Sequence, residues 1–494
     1  MTDPLLLSLD QGTTSTRAVL YGLDGRERAS AAQPLRQSYP ADGWVEHDAE
    51  EIFQASVLVL REVLAQAQGP VAALGLTNQR ETVVVWERDT GRPIAPAIVW
   101  QDRRTADVCA SLKEAGHEAG VRAATGLGID PYFSATKIAW LLDRTEGARE
   151  RANAGALACG TIDTWLVWRL TGGRVYATDA TNASRTLLFD IHQGGWSEVL
   201  CLLFGAPLAM LPEVRDTAGD FGETAAEVLG RSIPIRACVG DQQSALLGQG
   251  CLEPGQTKAT FGTGAFILTQ SGATAPTTAG GLLATVAARV AGRTTYASEG
   301  AIFNAGAVIQ WLNEGLGVAG GPKAVEALAR SARSDHGVLF VPAFTGLGAP
   351  WWEPGARGAL FGLTRDSGLP EIAAAAFDAC AYQTRDLLDL MRGAGARDAV
   401  VRIDGGMASS AFFAQRLADL LGAPVDRALY SETTALGAAL FAAVGAGLLS
   451  VEEAAERRPP AERLEPRLDP TEREAAYARW RAVVGRVVAA ERVG

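Results

Sequence analysis

The sequence predicts an α/β protein of two related domains facing one another across a cleft. Three observations support this. The chain has 494 residues, more than a single hydrophobic core usually serves. Its first third alternates strand-like runs with helical patterns, as layered α/β folds do. A strand–turn–strand pattern also occurs twice: Leu5 to Leu9, the turn Asp10-Gln11-Gly12-Thr13-Thr14-Ser15 and Ala18 to Tyr21, and again from Lys258 to Thr269 around Phe261-Gly-Thr-Gly264. The repeat sets a domain boundary near residue 250, between segments 1–250 and 251–494.

In chain order, the opening hairpin presents backbone N–H groups and small hydroxyls at its tip. Such a tip serves equally as an ordinary turn or as a cradle for phosphate oxygens. Asp10 at its root could hold a hydrated Mg²⁺, a cation that prefers oxygen ligands and leaves room for substrate phosphates. Helical spacing follows from Ile52 to Gln66. Two strands, Val71 to Thr77 and Thr82 to Trp86, flank the polar corner Asn78-Gln79-Arg80-Glu81. Ile235 to Val239 reads as a short strand that stops at Gly240-Asp241-Gln242-Gln243, before a helix of small residues from Ser244 to Gly250. In the second half, Val401 to Asp404 is a strand ending in Gly405-Gly406, followed by a helix to Leu421. Strand ends of this kind are where open α/β sheets bind ligands. A last helix carries Tyr477, Trp480, Val483, Val484 and Val487 at helical spacing and is expected to pack on the second domain. Taken singly, Arg80-Glu81 reads as a surface ion pair, Asp241 as a helix cap, and Trp100 and Phe266 as core residues.

Composition narrows the partners. With 48% hydrophobic residues, 20% charged residues and a net charge of -11, neither nucleic acid nor an anionic membrane is expected as a partner. Lys113, Lys137, Lys258 and Lys323 are the only lysines. None follows a glycine, so the G-x-x-x-x-G-K-[ST] phosphate loop is absent, and no H-R-D triplet marks a protein kinase. The six cysteines form no C-x-x-C pair, which predicts reduced, buried thiols in a cytoplasmic chain without zinc. Met1-Thr2-Asp3-Pro4 lacks the basic start of a signal peptide. The uncharged run from Thr433 to Val451 is rich in Ala and Gly and is read as a buried helix rather than a membrane span.

Several segments together resemble the FGGY carbohydrate kinases, a branch of the actin-, hexokinase- and Hsp70-like ATPases. Tyr132-Phe-Ser134-Ala-Thr-Lys137-Ile-Ala-Trp140-Leu-Leu-Asp143 is similar to one family signature; Gly358-Ala-Leu-Phe-Gly362-Leu-Thr364, with Glu371 to Asp378, is similar to the other. Trp44-Val-Glu-His-Asp48, Thr77-Asn-Gln-Arg-Glu81, Thr181-Asn-Ala-Ser-Arg185, Gly240-Asp-Gln-Gln243 and Phe344-Thr-Gly-Leu-Gly-Ala-Pro350 resemble the members that act on glycerol. The likeness runs from residue 5 to about residue 445. It implies two ribonuclease-H-like (actin-like ATPase) domains with an interdomain cleft, and ATP-dependent phosphorylation of glycerol to sn-glycerol 3-phosphate in the cytoplasm. It also implies Mg²⁺ as cofactor and a homodimer or homotetramer. The rival readings are a family member acting on a pentulose or tetritol, and a nucleotide-gated binding protein.

The same resemblance implies residue roles. Arg80 and Glu81 would bracket two hydroxyls, Tyr132 and Gln242 would add hydrogen bonds, and Trp100 and Phe266 would wall the carbon chain. Asp241 would take the proton of the attacking hydroxyl. Thr13, Thr14, Ser15 and Arg17 would meet the β- and γ-phosphates, with Thr263 opposite them. Gly306, Gln310, Gly405 and Gly406 would line ribose and adenine, and Asp10 would hold Mg²⁺. Ser410 stands where the family usually has an Asn toward the nucleotide. Gly230-Arg231-Ser232 resembles a loop at which some relatives bind fructose bisphosphate, with its Arg displaced by one position.

Overall fold

The computed structural model describes residues 3–393, 400–429 and 432–491; Met1 and Thr2, the start of the segment read for a leader, lie outside them. The first half is built on five strands, β1 (Leu5–Gln11), β2 (Ser15–Gly22), β3 (Glu27–Pro34), β4 (Val71–Asn78) and β5 (Ile235–Gly240), in the order β5-β4-β1-β2-β3. Strands β1, β2 and β3 run antiparallel, while β4 and β5 lie parallel to β1. Alternation along β1 sends Leu7 and Leu9 to one face and Leu6 to the other. The first face is covered by helix α1 (Ala49–Leu64), with Ile52, Leu60 and Val63 in its core. Asp48 caps α1 by accepting from the backbone N–H of Glu50 and Glu51, which satisfies donors the first turn leaves free. Helix α2 (Asp241–Gly248) starts directly where β5 ends.

The second half repeats the plan. Strands β6 (Thr257–Phe261), β7 (Ala265–Gly272), β8 (Leu283–Val290), β9 (Arg293–Ile302), β10 (Val401–Asp404), β11 (Val425–Ala428) and β12 (Ala461–Leu464) form one sheet ordered β8-β9-β7-β6-β10-β11-β12. Without its edge strands β8 and β12 this is the order and direction of the first sheet: two antiparallel steps from β6 to β9 and two parallel steps to β11. The repeated hairpins therefore sit at equivalent positions of two sheets with one topology. Helices α3 (Gly306–Glu314), α4 (Leu369–Gly393) and α5 (Ala411–Leu421) pack with this sheet. The final helix α7 (Pro470–Glu491) follows α6 (Thr433–Gly445) in the chain, and its Tyr477, Trp480, Val483, Val484 and Val487 join the core of the second half.

The buried run after Thr433 is α6, and it covers the face of the first sheet opposite α1. Ala435, Leu436, Ala439, Leu440 and Phe441 pack with Leu6, Val19, Ala73 and Val239. Burying Phe441 alone contributes about 2 kcal/mol. Helix α6 also crosses α2 at close range, since Gly437 lies so near the Ser244 carbonyl that a Cβ there would collide. The two halves are thus joined by a helix of the second docked on the sheet of the first. Among the described residues no helix is long and apolar enough to cross a membrane, and all six cysteines are buried free thiols.

Candidate active site

Strand β4 ends in a corner where the backbone is bent to unusual angles. Glu81 has φ 62°, a left-handed conformation that side chains other than glycine adopt at a cost. The corner is fixed on both sides: Asn78 and Asn182 exchange side-chain hydrogen bonds of 3.0 and 3.1 Å, and the Ser134 hydroxyl donates to the Glu81 carbonyl at 3.1 Å.

Arg80 and Glu81 are not a surface pair. Each is at most 2% exposed, and both belong to a buried ionic cluster. The Arg80 guanidinium donates through Nη1 and Nη2 to the two carboxylate oxygens of Glu299, at 2.6 and 3.1 Å. Arg185 donates from Nη2 to Glu299 Oε1 at 3.0 Å and from Nε to Glu81 Oε1 at 2.7 Å. Arg80 Nε lies 3.2 Å from Asp241 Oδ1. Against the burial that would raise it, Arg185 and Arg80 hold the Glu299 carboxyl down to about 2. At Glu81 burial prevails over the two arginines, and its pKa is raised.

Asp241 opens α2 at the end of β5, held there by a 2.8 Å bond from the Gly240 backbone N–H to the Thr181 hydroxyl. Its side chain is 28% exposed toward the cleft. Burial raises its pKa, opposed by Arg80 and Lys258, which brings it nearer to the range useful for accepting a proton. The neighbouring Gln242 accepts at Oε1 from Lys258 Nζ, which also donates to the Thr260 hydroxyl at 3.0 Å. With its oxygen so engaged, the Gln242 amide nitrogen is left to donate. Burial lowers Lys258 to about 8 against the pull of Asp404 and Asp241.

Aromatic rings close one side. Trp100 meets Tyr132 edge-on at 5.6 Å and Phe266 at 6.2 Å, and the Arg80 guanidinium stands 5.9 Å over the Phe266 ring. The Trp100 indole N–H donates to the Thr13 hydroxyl at 2.9 Å, tying this wall to the first hairpin tip. Charge, hydrogen-bonding groups and an apolar wall of edge-packed rings meet here, as a small polyol requires.

The two hairpins supply the other end of the cleft. In the first, the Gly12 N–H bonds the Ser15 carbonyl at 2.9 Å; Thr14 is exposed at the tip, while Thr13 and Ser15 are half-buried. Burial, with Asp241 and Glu432 nearby and only Arg17 opposing, lifts the Asp10 carboxyl to about 7. Arg17 is ion-paired with Glu432. In the second hairpin the Gly262 N–H bonds the Gly264 carbonyl at 2.9 Å, and the Thr263 carbonyl accepts from Ala305 and Ala307 at 2.9 and 3.0 Å. Gly306 and Gly405 both press on this hairpin: an added Cβ would lie 2.5 Å from the Gly262 carbonyl oxygen in one case and 2.5 Å from that of Phe261 in the other. Gly405 also has φ 88°, so glycine is required twice over. Thr263, Gly306, Gly405 and exposed Gly406 are therefore gathered at one edge. Gln310 on α3 donates to Glu314 at 3.0 Å, and the Ser410 hydroxyl accepts from the Phe413 N–H at 3.0 Å as the N-cap of α5.

Four charged residues escaped the sequence reading as site residues: Arg185, Glu299, Lys258 and Glu432. Three carried a signal. Arg185 ends the segment Thr181 to Arg185 that carries part of the family resemblance. Glu299 is the lone charge in the stretch Tyr296 to Ile302, and Lys258 is one of four lysines and starts the second hairpin. A charge inside a buried strand needs a partner. Among the described residues no group of three His, Cys, Asp or Glu could hold a metal. Asp10 alone fits a hydrated divalent cation whose remaining ligands come from water and phosphate, because hard oxygen donors suit Mg²⁺ and this carboxylate is crowded by two others.

Comparison with known proteins gives the family. Residues 5–248 match the N-terminal domain of the FGGY family of carbohydrate kinases, and residues 257–446 match its C-terminal domain. Glycerol kinase of Alcanivorax borkumensis is 52% identical, covering 98% of each chain, and that of Ectopseudomonas mendocina is 51% identical over 98% of each. Among solved structures, Plasmodium falciparum glycerol kinase with ADP superposes with a TM-score of 0.92 at 32% identity, covering 98% of both chains. A xylulose kinase from Lactobacillus acidophilus, at 21% identity and TM-score 0.88 over 98% of this chain and 99% of its own, shares the fold. The chain belongs to the FGGY family of carbohydrate kinases.

Proposed function

We propose that this enzyme transfers the γ-phosphoryl group of ATP to glycerol, giving sn-glycerol 3-phosphate and ADP. The observation that carries the reading is a corner walled by Trp100, Tyr132 and Phe266, with a partly exposed carboxylate, Asp241, beside the Arg80 guanidinium. The glycerol kinases at about half identity along the whole chain support it.

Arg80 and Glu81 orient two glycerol hydroxyls, Tyr132 and Gln242 bond the polyol, and the aromatic wall excludes water from the carbon chain. Asp241 takes the proton from the attacking hydroxyl while a new O–P bond forms and the bond to the ADP leaving oxygen breaks. An alcohol is far less acidic than a carboxylic acid, so the proton moves late, after charge has developed on the loose transition state. Thr13, Thr14, Ser15, Arg17 and Thr263 position the phosphates from both sides, Arg17 leaving Glu432 to do so. Gly306, Gln310, Gly405, Gly406 and Ser410 border the nucleoside. Asp10 holds Mg²⁺, which neutralises phosphate charge when bound.

In this reading segment 1–250 carries the polyol and the first phosphate hairpin, segment 251–494 carries the nucleoside, and the enzyme works as a cytoplasmic dimer or tetramer. A coupled ADP-release assay over a panel of polyols and ketoses tests the reaction. Glycerol giving the highest kcat/KM, with little hydrolysis in its absence, is the expected result. Preference for a pentulose or tetritol, or hydrolysis that ignores the acceptor, overturns it.

A further inference from the structure

Glu299 belongs to β9 of the second half, yet its carboxylate lies between Arg80 and Arg185 of the first. It takes both η nitrogens of Arg80 in the two-point geometry by which arginine otherwise grips a carboxylate ligand. It takes one η nitrogen of Arg185 as well, whose Nε is spent on Glu81. The remaining face of Arg80, at Nε, is turned to Asp241.

The arginines of the polyol corner are already paired. Arg80 and Arg185 hold the carboxylates Glu81, Glu299 and Asp241, while Lys258 and Lys137 are spent on neutral oxygens, those of Gln242 and Thr260 and the carbonyls of Glu81 and Tyr132. Of these charged groups all but Asp241 are at most 2% exposed, so a carboxylate brought here would be buried beside Glu299 and Asp241, which already hold the Arg80 guanidinium. Neutral hydroxyls face no such obstacle, because each can donate to a carboxylate and accept from an N–H already in place.

We infer that Glu299 is a specificity-determining, positioning residue: by occupying the Arg80 fork it confines the acceptor site to uncharged polyols and excludes acidic three-carbon acceptors such as glycerate. The inference rests on the glycerol reading and adds to it the reason for a charge class. With its carboxyl held at about 2, Glu299 stays ionised at any working pH. Glu299→Gln removes one negative charge and leaves a guanidinium short of its bidentate partner, which is a carboxylate site.

Calorimetric titration of glycerol and of D-glycerate tests this, using the wild type, Glu299→Gln, and the charge-restored pair Glu299→Gln with Arg185→Gln. The wild type is expected to bind glycerol and to reject glycerate. Glu299→Gln is expected to narrow the glycerol-to-glycerate affinity ratio by about 100-fold, the scale set by an unpaired buried charge. The double variant is expected to recover most of that ratio. A merely structural role for Glu299 weakens both ligands alike and leaves the ratio in place, and that result overturns the inference. So does a wild type that binds glycerate as tightly as glycerol, an outcome that needs no variant to fold. A wild type that binds no glycerol at all instead overturns the reading of the reaction.

Discussion

The two ends of the cleft are built on opposite electrostatic plans. At the end proposed for the polyol the buried arginines Arg80 and Arg185 are paired with Glu81, Glu299 and Asp241, and Glu299 is ionised down to about 2. At the end proposed for the phosphates Asp10 is buried and crowded by Asp241 and Glu432 and holds its proton up to about 7. A site for a neutral molecule can be completed by the protein alone, since hydroxyls need only donors and acceptors. A site for a polyanion travelling with a cation has to keep excess acid for the metal and a guanidinium, here Arg17, that can exchange its ion pair with Glu432 for the phosphates.

Asp241 stands where the two plans meet, and replacing it gives the largest expected effect. Asp241→Asn preserves shape and removes the proton acceptor, so kcat is expected to fall by about 10³-fold. Glycerol affinity should stay within about threefold, because Arg80 keeps its two bonds to Glu299 and the loss falls on the transition state. Steady-state kinetics beside calorimetry separates the two. A kcat within a few-fold of wild type removes Asp241 from the chemistry.

Neutralising one carboxylate at each end sharpens the contrast, because the expected stability changes have opposite signs. Glu299→Gln leaves two buried guanidinium groups short of a partner and lowers the unfolding free energy by about 3 kcal/mol. Asp10→Asn relieves crowding among three carboxylates and raises it by about 1 kcal/mol in the ligand-free protein, while Mg²⁺-dependent turnover falls. Urea unfolding of both variants is the measurement. Shifts in the same direction would mean that the two ends do not differ in the way described.

The sequence showed more of the fold than of this contrast. Both hairpins were legible because strand, turn and strand are local patterns, and their repetition gave the two-domain plan. Arg80, Glu81, Trp100, Tyr132, Asp241 and Phe266 could be named together from the order of motifs, and the structure brings them into contact around one corner. The partners of Arg80 were not legible, because pairing with Glu299 spans 219 positions in the chain and a single charged residue in a strand does not say which cation it will meet. Lys258 was hidden for the same reason. Its contact with Gln242 depends on how the second hairpin lies against α2, which is a property of the packed halves.

A smaller effect is expected at His47, behind the first hairpin. Its Nδ1 lies 3.3 Å from Gln79 Nε2, and burial lowers its pKa from 6.5 to about 4. Between these values the unfolded chain binds a proton that the folded protein refuses. Stability is therefore full above about pH 6.5 and declines as pH falls toward 4, by about 2 kcal/mol near the lower end. His47→Gln should flatten that part of the profile, as read by urea unfolding from pH 7 to pH 4.5. An unchanged slope would show that His47 takes up its proton within the folded state, and that the phosphate hairpin has a softer backing than the polyol corner.

The smallest effect belongs to Ser410, at the nucleoside end. Its hydroxyl caps the α5 helix, accepting from Phe413 at 3.0 Å, which leaves a single O–H to donate to a ligand across the cleft. Asparagine caps a helix about as well as serine, and its side chain reaches one bond farther with an amide that both donates and accepts. Ser410→Asn should therefore leave the unfolding free energy within about 0.5 kcal/mol of wild type and lower the KM for ATP by about threefold, the worth of one added hydrogen bond. The KM for glycerol should not move, because the polyol corner is held by its own ion pairs. An unchanged KM for ATP would place position 410 outside the nucleotide's reach and leave Ser410 a helix cap and nothing more.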